Sequence, residues 1–407
     1  MTLLLREDED GGALPAAGMN AARLSDLPRP APTPTNQFAD MMLLPIAPGQ
    51  RPALGELLAV INRETIAAMR DPRSAPGILP LRNLGRLHFA RLVILEQQPL
   101  TQPWLAFVVD YDGDEGDVRC SHEQAWNWLV RELGKLPGLD RVLSHCAGYE
   151  SGRQRAYLER HRRPAATAYV AAPGRSVAQI RWEEALRREV ERALVGLAGT
   201  PAQVRAQVLE RLPELTIPPF PAQPDLTGRV PRELVKAFWL PLSVLAGLSL
   251  PLWPLGPLGL GLGAAGLTAL GVSAVARFRW LETHDPQFQP EVNAATHAHM
   301  AFAAQDENEF LQNQLSHVVQ IKPGPLRAVV IRSVFKALQV LADNQFNQGK
   351  LGDIPSIHFA RWVLGPERSV LFFSNFDSSW QSYLGDFIDK ASNGLTAVWS
   401  NTVRYPR

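Results

Sequence analysis

The sequence predicts an α+β protein in which two copies of one β-α-β-β-α-β unit flank a long uncharged hydrophobic segment. The tetrapeptide His88-Phe-Ala-Arg91 recurs as His358-Phe-Ala-Arg361, and the residues around both copies follow the same order of apolar patterns. Between the copies, the 40 residues from Ala237 to Ala276 contain no Asp, Glu, Lys or Arg.

A chain of 407 residues has room for two or three domains with cores of ordinary size. Its 41 basic and 40 acidic residues leave a formal charge of +1, which gives no field for steering onto nucleic acid. No nucleic-acid partner is expected. Cys120 and Cys146 lack C-x-x-C spacing and are too few for a disulfide framework, which points to a reducing compartment.

Residues 1–38 read as a flexible arm. The start MTLLLREDEDGG has an acidic cluster where a secretory signal has a basic start and a longer apolar core. The run SDLPRPAPTPTNQ at 25–37 is rich in proline and holds too little apolar surface to offset the entropy of ordering.

The first unit spans 39–150 and the second 315–407. Each opens with an apolar strand ending in Pro-Gly before a helical stretch, MMLLPIAPG at 41–49 and HVVQIKPG at 317–324. The shared tetrapeptide then leads into LVIL at 92–95 and WVL at 362–364. A turn and a second strand follow, WLAFVVDYD at 104–112 and SVLFFSNFD at 369–377. Helical spacing of bulky residues marks 122–133 and 379–391, and each unit is expected to close with a strand, near 140–147 and 395–402. This order is that of the ferredoxin-like unit. Two such units commonly pair their sheets face to face, so the expectation is an intramolecular α+β barrel.

The inserted region 151–235 reads as helical and charged. Ser176 is placed as an N-cap, and Thr200-Pro201 opens a further helix in the favoured order. The basic cluster Arg160, His161, Arg162 and Arg163 is either a solvated helix end or a contact for anionic lipid headgroups. Residues 236–280 form a hydrophobic hairpin, because Pro251, Pro254 and Pro257 break the helix near its middle. The first arm, at about 21 Å, is shorter than a hydrocarbon core of roughly 30 Å, so a re-entrant hairpin competes with two full spans. Arg229, Arg232 and Lys236 flank one end and Arg277 and Arg279 the other, placing both ends, and so both units, on the cytoplasmic side of a lipid bilayer. A buried hairpin inside a soluble protein is the alternative. The connecting segment 281–314 holds His297 and His299, whose spacing of two does not suit a shared metal on one helix face.

A symmetric hairpin in the second unit sets His358 opposite Asn375, with Arg361 on the other face; the matching pair in the first unit is His88 and Asp110. Such pairs fix an imidazole tautomer for acid/base work or for axial ligation. A cross-strand hydrogen bond holding each hairpin in register explains the same pairs, and its occurrence in both halves suits a structural element better than one active centre.

The tandem arrangement resembles the dimeric α+β barrel superfamily, which includes chlorite dismutases and dye-decolourising peroxidases. The resemblance implies a haem in the barrel, with His358 or His317 as proximal ligand and Arg361 or Arg91 as distal arginine. The G-x-x-D-G motif of the dye-decolourising branch is missing, since Gly113-Asp-Glu-Gly116-Asp117 has a different order. The functional expectation is a membrane-anchored enzyme of oxidative type acting on an apolar or lipid-derived small molecule. The competing expectation is a non-catalytic membrane adaptor that binds lipid or holds a protein partner.

Overall fold

The computed structural model describes residues 27–405 apart from positions 28, 32, 72–74, 212–226, 248–255, 286–311, 347–348, 350 and 352–353. Runs rich in apolar residues, buried on both faces in β1 and β3, form three long strands in the first half: β1 (Gln37–Pro45), β2 (Leu87–Leu95) and β3 (Trp104–Asp112). A short fourth, β4 (Arg162–Arg163), pairs with Met41 and Met42 of β1, giving the order β2-β3-β1-β4. The second half supplies β6 (Gln312–Gln320), β7 (Ile357–Leu364) and β8 (Ser369–Asp377). With β5 (Thr167–Val170) on the β7 edge, the second sheet runs β5-β7-β8-β6. Every strand pair in both sheets is antiparallel.

The two sheets pack face to face. Met41, Leu43, Ala106 and Val108 of the first pack with Val363, Leu371 and Phe373 of the second to form an apolar inner core. Helices cover the outer faces. On the first sheet lie α1 (Arg51–Arg70), α2 (His122–Leu133), α3 (Pro137–Leu143) and α4 (Gln154–His161), packed around Trp126, Leu129 and Tyr157. The charged helices α5 (Val177–Leu194) and α6 (Pro201–Arg211) follow in sequence. Ser176 caps α5 by accepting from the Gln179 amide, as its position predicts.

Later in the chain come two further helices, α7 (Val230–Gly247) and α8 (Gly256–His284). Among the described residues, α8 alone is long and apolar enough to cross a membrane. Most of the predicted Pro251–Pro257 turn lies outside the described residues, as do His297, His299 and residues 1–26, 28 and 32 of the arm; the end of the arm is not flexible but paired, with Thr35 bridged to Gly174 and Gln37 and Phe38 in β1. The second sheet is covered by α9 (Pro325–Asn344), α10 (Trp380–Lys390) and α11 (Ser392–Trp399). The base of α8 is tied to α9 by Arg327, which is buried, stacks over Phe278 at 4.2 Å and bonds Asp285 at 2.8 Å.

Two expectations are corrected. The closing strands near 140–147 and 395–402 are the helices α3 and α11, because Leu139, Val142 and Leu143, like Leu395, Val398 and Trp399, recur at helical spacing and pack inward together. Each helix is followed by a single bridge back to the first strand of its half, Cys146 to Ile46 and Thr402 to Ile321. The fourth strand of both sheets comes instead from 162–170, inside the region read as an insertion.

Candidate functional site

The recurring tetrapeptide lies on β2 and β7, where the two sheets meet. In both strands the pairing to the next strand slips at the histidine: Leu87 faces Tyr111 but Phe89 faces Asp110, and Ile357 faces Phe376 but Phe359 faces Asn375. This bulge corrects the expected register. His88 bonds Asp112, not Asp110, and His358 bonds Asp377, not Asn375, each with Nε2 at 2.7 Å from a carboxylate oxygen. A symmetric hairpin misses the bulge, since one extra residue moves every later side chain by one position.

The two phenylalanines meet across the interface, with ring centroids of Phe89 and Phe359 5.6 Å apart in an edge arrangement. Each histidine lies against the other half's phenylalanine: His88 to Phe359 at 5.2 Å and His358 to Phe89 at 5.9 Å. The four rings form a cluster related by an approximate twofold.

The arginines reach into the opposite sheet. Arg361 donates through Nη1 to the carbonyls of Asp40 and Val109 and through Nη2 to Asp110. Arg91 does the same in reverse, to the carbonyls of Leu315 and Ser374 and, at 2.6 Å, to Asn375 Oδ1. Asn375 Nδ2 then donates to Asp110 Oδ2 at 3.1 Å, joining the two clasps. All four side chains are buried. Burial pushes the Asp110 carboxyl above its ordinary value against the pull of Arg361 and Arg91, and pushes Arg91 down to about 9.

The histidine sites differ in cover. His88 and Asp112 side chains are 4% and 3% exposed, whereas His358 and Asp377 are 32% and 34% exposed. In the first half the turn before α5 closes the site. Gly174 N donates to Gln37 Oε1 at 3.1 Å, Gln37 Nε2 donates to the Arg175 carbonyl at 2.8 Å, and Val177 N donates to Asp112 Oδ2 at 2.7 Å. Gln37 and Gln312 belong to these sites although the tetrapeptide gives no sign of them. The repeated offset between β1 and β6 is the signal that finds them.

A further polar cluster lies under the first sheet. Asp40 accepts from Arg162, Tyr111 and His122 at 2.6–2.7 Å. Burial alone would raise this carboxyl, but the hydrogen bonds from His122, Arg162 and Tyr111 bring it to about 2. Arg162, read from sequence as part of a solvated or lipid-facing end, instead lies 4.2 Å over the Trp126 ring.

His317 points to the outer face of the second sheet, its ring edge-on to Trp399 at 5.2 Å, and burial lowers its pKa. Together with Phe372, Trp380, Phe387 and Leu395 it lines an apolar cavity of about 460 Å³.

These placements decide how far the residues fit a haem. Arg361 and Arg91 are fully engaged by carbonyl, carboxylate and amide acceptors, so neither is free as a distal arginine, and the His358 Nε2 is held by Asp377. His358 and Arg361 do not fit a haem pocket. Of the two histidines expected as proximal ligand, His317 faces the 460 Å³ cavity. No group of three His, Cys, Asp or Glu among the described residues converges as a metal site. Comparison with known protein families, curated proteins and solved structures finds no match.

Proposed function

We propose that this chain is a membrane-anchored, non-catalytic adaptor: a ferredoxin-like unit duplicated and paired with itself, whose second half recruits a protein partner. The observation that carries this reading is an asymmetry of cover. On the outer face of the first sheet, α4 and β4 lie over and beside β1, with Tyr157 and Leu158 buried. At the corresponding place on the second sheet, among the described residues, β6 is an edge strand and the apolar 460 Å³ cavity has no counterpart of α4 over it. An apolar recess beside an unpaired strand edge is a recognised mode of peptide capture.

The polar residues that suggested chemistry support the same reading. Arg91, Asp110, Arg361 and Asn375 bond one another or the opposite sheet and hold the halves together, while His88 bonds Asp112 within its own hairpin. The anchor is α8, whose Leu258, Leu262, Leu270, Val272 and Val275 are exposed along 29 residues, about 43 Å of helix. In this reading α7 and α8 are the two arms of the hairpin expected from sequence, and the basic residues flanking its outer ends support a cytoplasmic side for both halves.

Deleting 237–276 is expected to release the protein into the soluble fraction with one cooperative unfolding transition retained and only the helical signal of α7 and α8 lost; continued sedimentation with membranes would contradict the anchor. The full chain extracted in detergent is expected to carry a stoichiometric protein partner that is lost when Leu384→Trp fills the cavity, and to show a featureless visible spectrum. A Soret band abolished by His317→Ala would replace the adaptor with an oxidative enzyme working at that cavity.

A further inference from the structure

Resting on the adaptor reading, we infer that the partner enters as one continuous segment that runs helix, strand, strand, turn across the second half. It follows the path that residues 147–177 of this chain take across the first. The strand registers give the correspondence. Gln37, Asp40, Met41 and Met42 of β1 correspond to Gln312, Leu315, Ser316 and His317 of β6; Phe89–Leu92 of β2 correspond to Phe359–Trp362 of β7. Cys146 corresponds to Thr402 through the matching bridges.

Residues 147–177 cover four places in turn. Helix α4 fills the outer face beside β1, and β4 pairs with Met41 and Met42. Strand β5 then crosses to the other sheet and pairs with 359–362. There Thr167 Oγ1 donates to the Phe335 carbonyl at 2.7 Å and Ala168 N to Gln339 Oε1 at 2.8 Å, both on α9. Finally the turn 174–177 closes on Gln37 and Asp112.

The twofold mates of all four places are open among the described residues. The mate of the α4 position is the 460 Å³ cavity. The mate of the β4 position is the edge at Ser316 and His317. The mate of the β5 position is the β2 edge, where Ala90, Arg91 and Leu92 line a second cavity of about 380 Å³ together with Ile61 and Thr65 of α1, the counterparts of Phe335 and Gln339. The mate of the turn position is Gln312 with Asp377, and there Gln312 Oε1 is buried without a hydrogen-bond partner. Its counterpart, Gln37 Oε1, accepts from the Gly174 amide. A buried amide oxygen left unpaired loses the hydrogen bond it makes with water, which a bound peptide N–H would restore.

The open places also specify the segment. Arg162 meets Asp40 and His122, whereas their counterparts are Leu315 and Trp380, so the partner carries an apolar residue there. Its helix presents large apolar side chains to His317, Phe372 and Trp399. Its turn offers amides to Gln312 and Asp377 in the manner of Gly174 and Val177 and leads into a second helix.

The test supplies the missing segment from the chain itself. Because Thr402 corresponds to Cys146, residues 152–177 appended after Arg407 start in register; the appended copy carries Arg162→Leu to match Leu315. Hydrogen exchange of this full chain in detergent is expected to slow about tenfold or more at both 89–92 and 315–318, relative to a chain with the same appended residues scrambled. Introducing Gln312→Ala and Asp377→Ala should weaken that protection. Unchanged exchange, or slowing at one edge only, would overturn the continuous path. If both edges slow but the native chain carries no partner, the path stands and the adaptor reading falls. A native partner that protects neither edge would do the reverse.

Discussion

The two halves share a frame down to the bulge at one histidine, yet among the described residues one histidine site is covered and the other open. His88 with Asp112 sits beneath a turn, whereas His358 with Asp377 reaches solvent, although both hydrogen bonds are 2.7 Å long. The difference teaches that the repeated residues belong to the frame and that function belongs to what lies over it. A residue present in both halves with the same bonding belongs to the common frame. A place covered in one half and bare in the other is where something can bind.

The largest effect separates the two arginine clasps. Arg361→Ala leaves Asp110 buried with its ion-pair partner removed and is expected to lower stability by about 3–5 kcal/mol. Arg91→Ala leaves neutral acceptors, at about 1–3 kcal/mol. Denaturant unfolding of both variants checks the order, and equal losses would break the comparison. Next, His88→Ala should cost about 1–3 kcal/mol and His358→Ala under about 1 kcal/mol, since solvent replaces the lost bond only in the second half. Melting curves of the pair would show it.

Acid distinguishes the halves again. The Asp40 carboxyl, held at about 2, contributes roughly 2 kcal/mol that is fully present above its unfolded value near pH 4 and is lost as the pH falls through about 2. Asp40→Asn should remove this acid limb from a stability profile, while Leu315 gives the second half no such limb. The smallest effect belongs to His317. Its lowered pKa means the unfolded chain binds the proton more readily, so stability declines as the pH drops below about 6.5. His317→Leu should flatten that part of the profile.

Much of this frame was legible in the sequence. The tetrapeptide, the Pro-Gly strand ends and the two hairpins mark both units, and helical spacing locates α2 and α10. The uncharged run locates α8. The bulges were not legible, because His88 and His358 continue the apolar alternation without a glycine or other break, and the shift appears only when β3 and β8 are paired. The closing strands were misread because short apolar runs such as Leu139–Leu143 suit either period until the face they bury is known. The strands at 162–170 were hidden for another reason. Two to four residues paired across different sheets leave no local pattern, and their partners lie far away in the sequence.

Hydrogen exchange of the unmodified full chain in detergent tests the central claim most directly, by comparing matched strand edges. The amides of 359–362 and 40–43, covered by β5 and β4, are expected to exchange slowly, and those of 89–92 and 315–318 at least about tenfold faster. Equal protection of the matched edges would contradict the account, because the second half would then be as fully covered as the first.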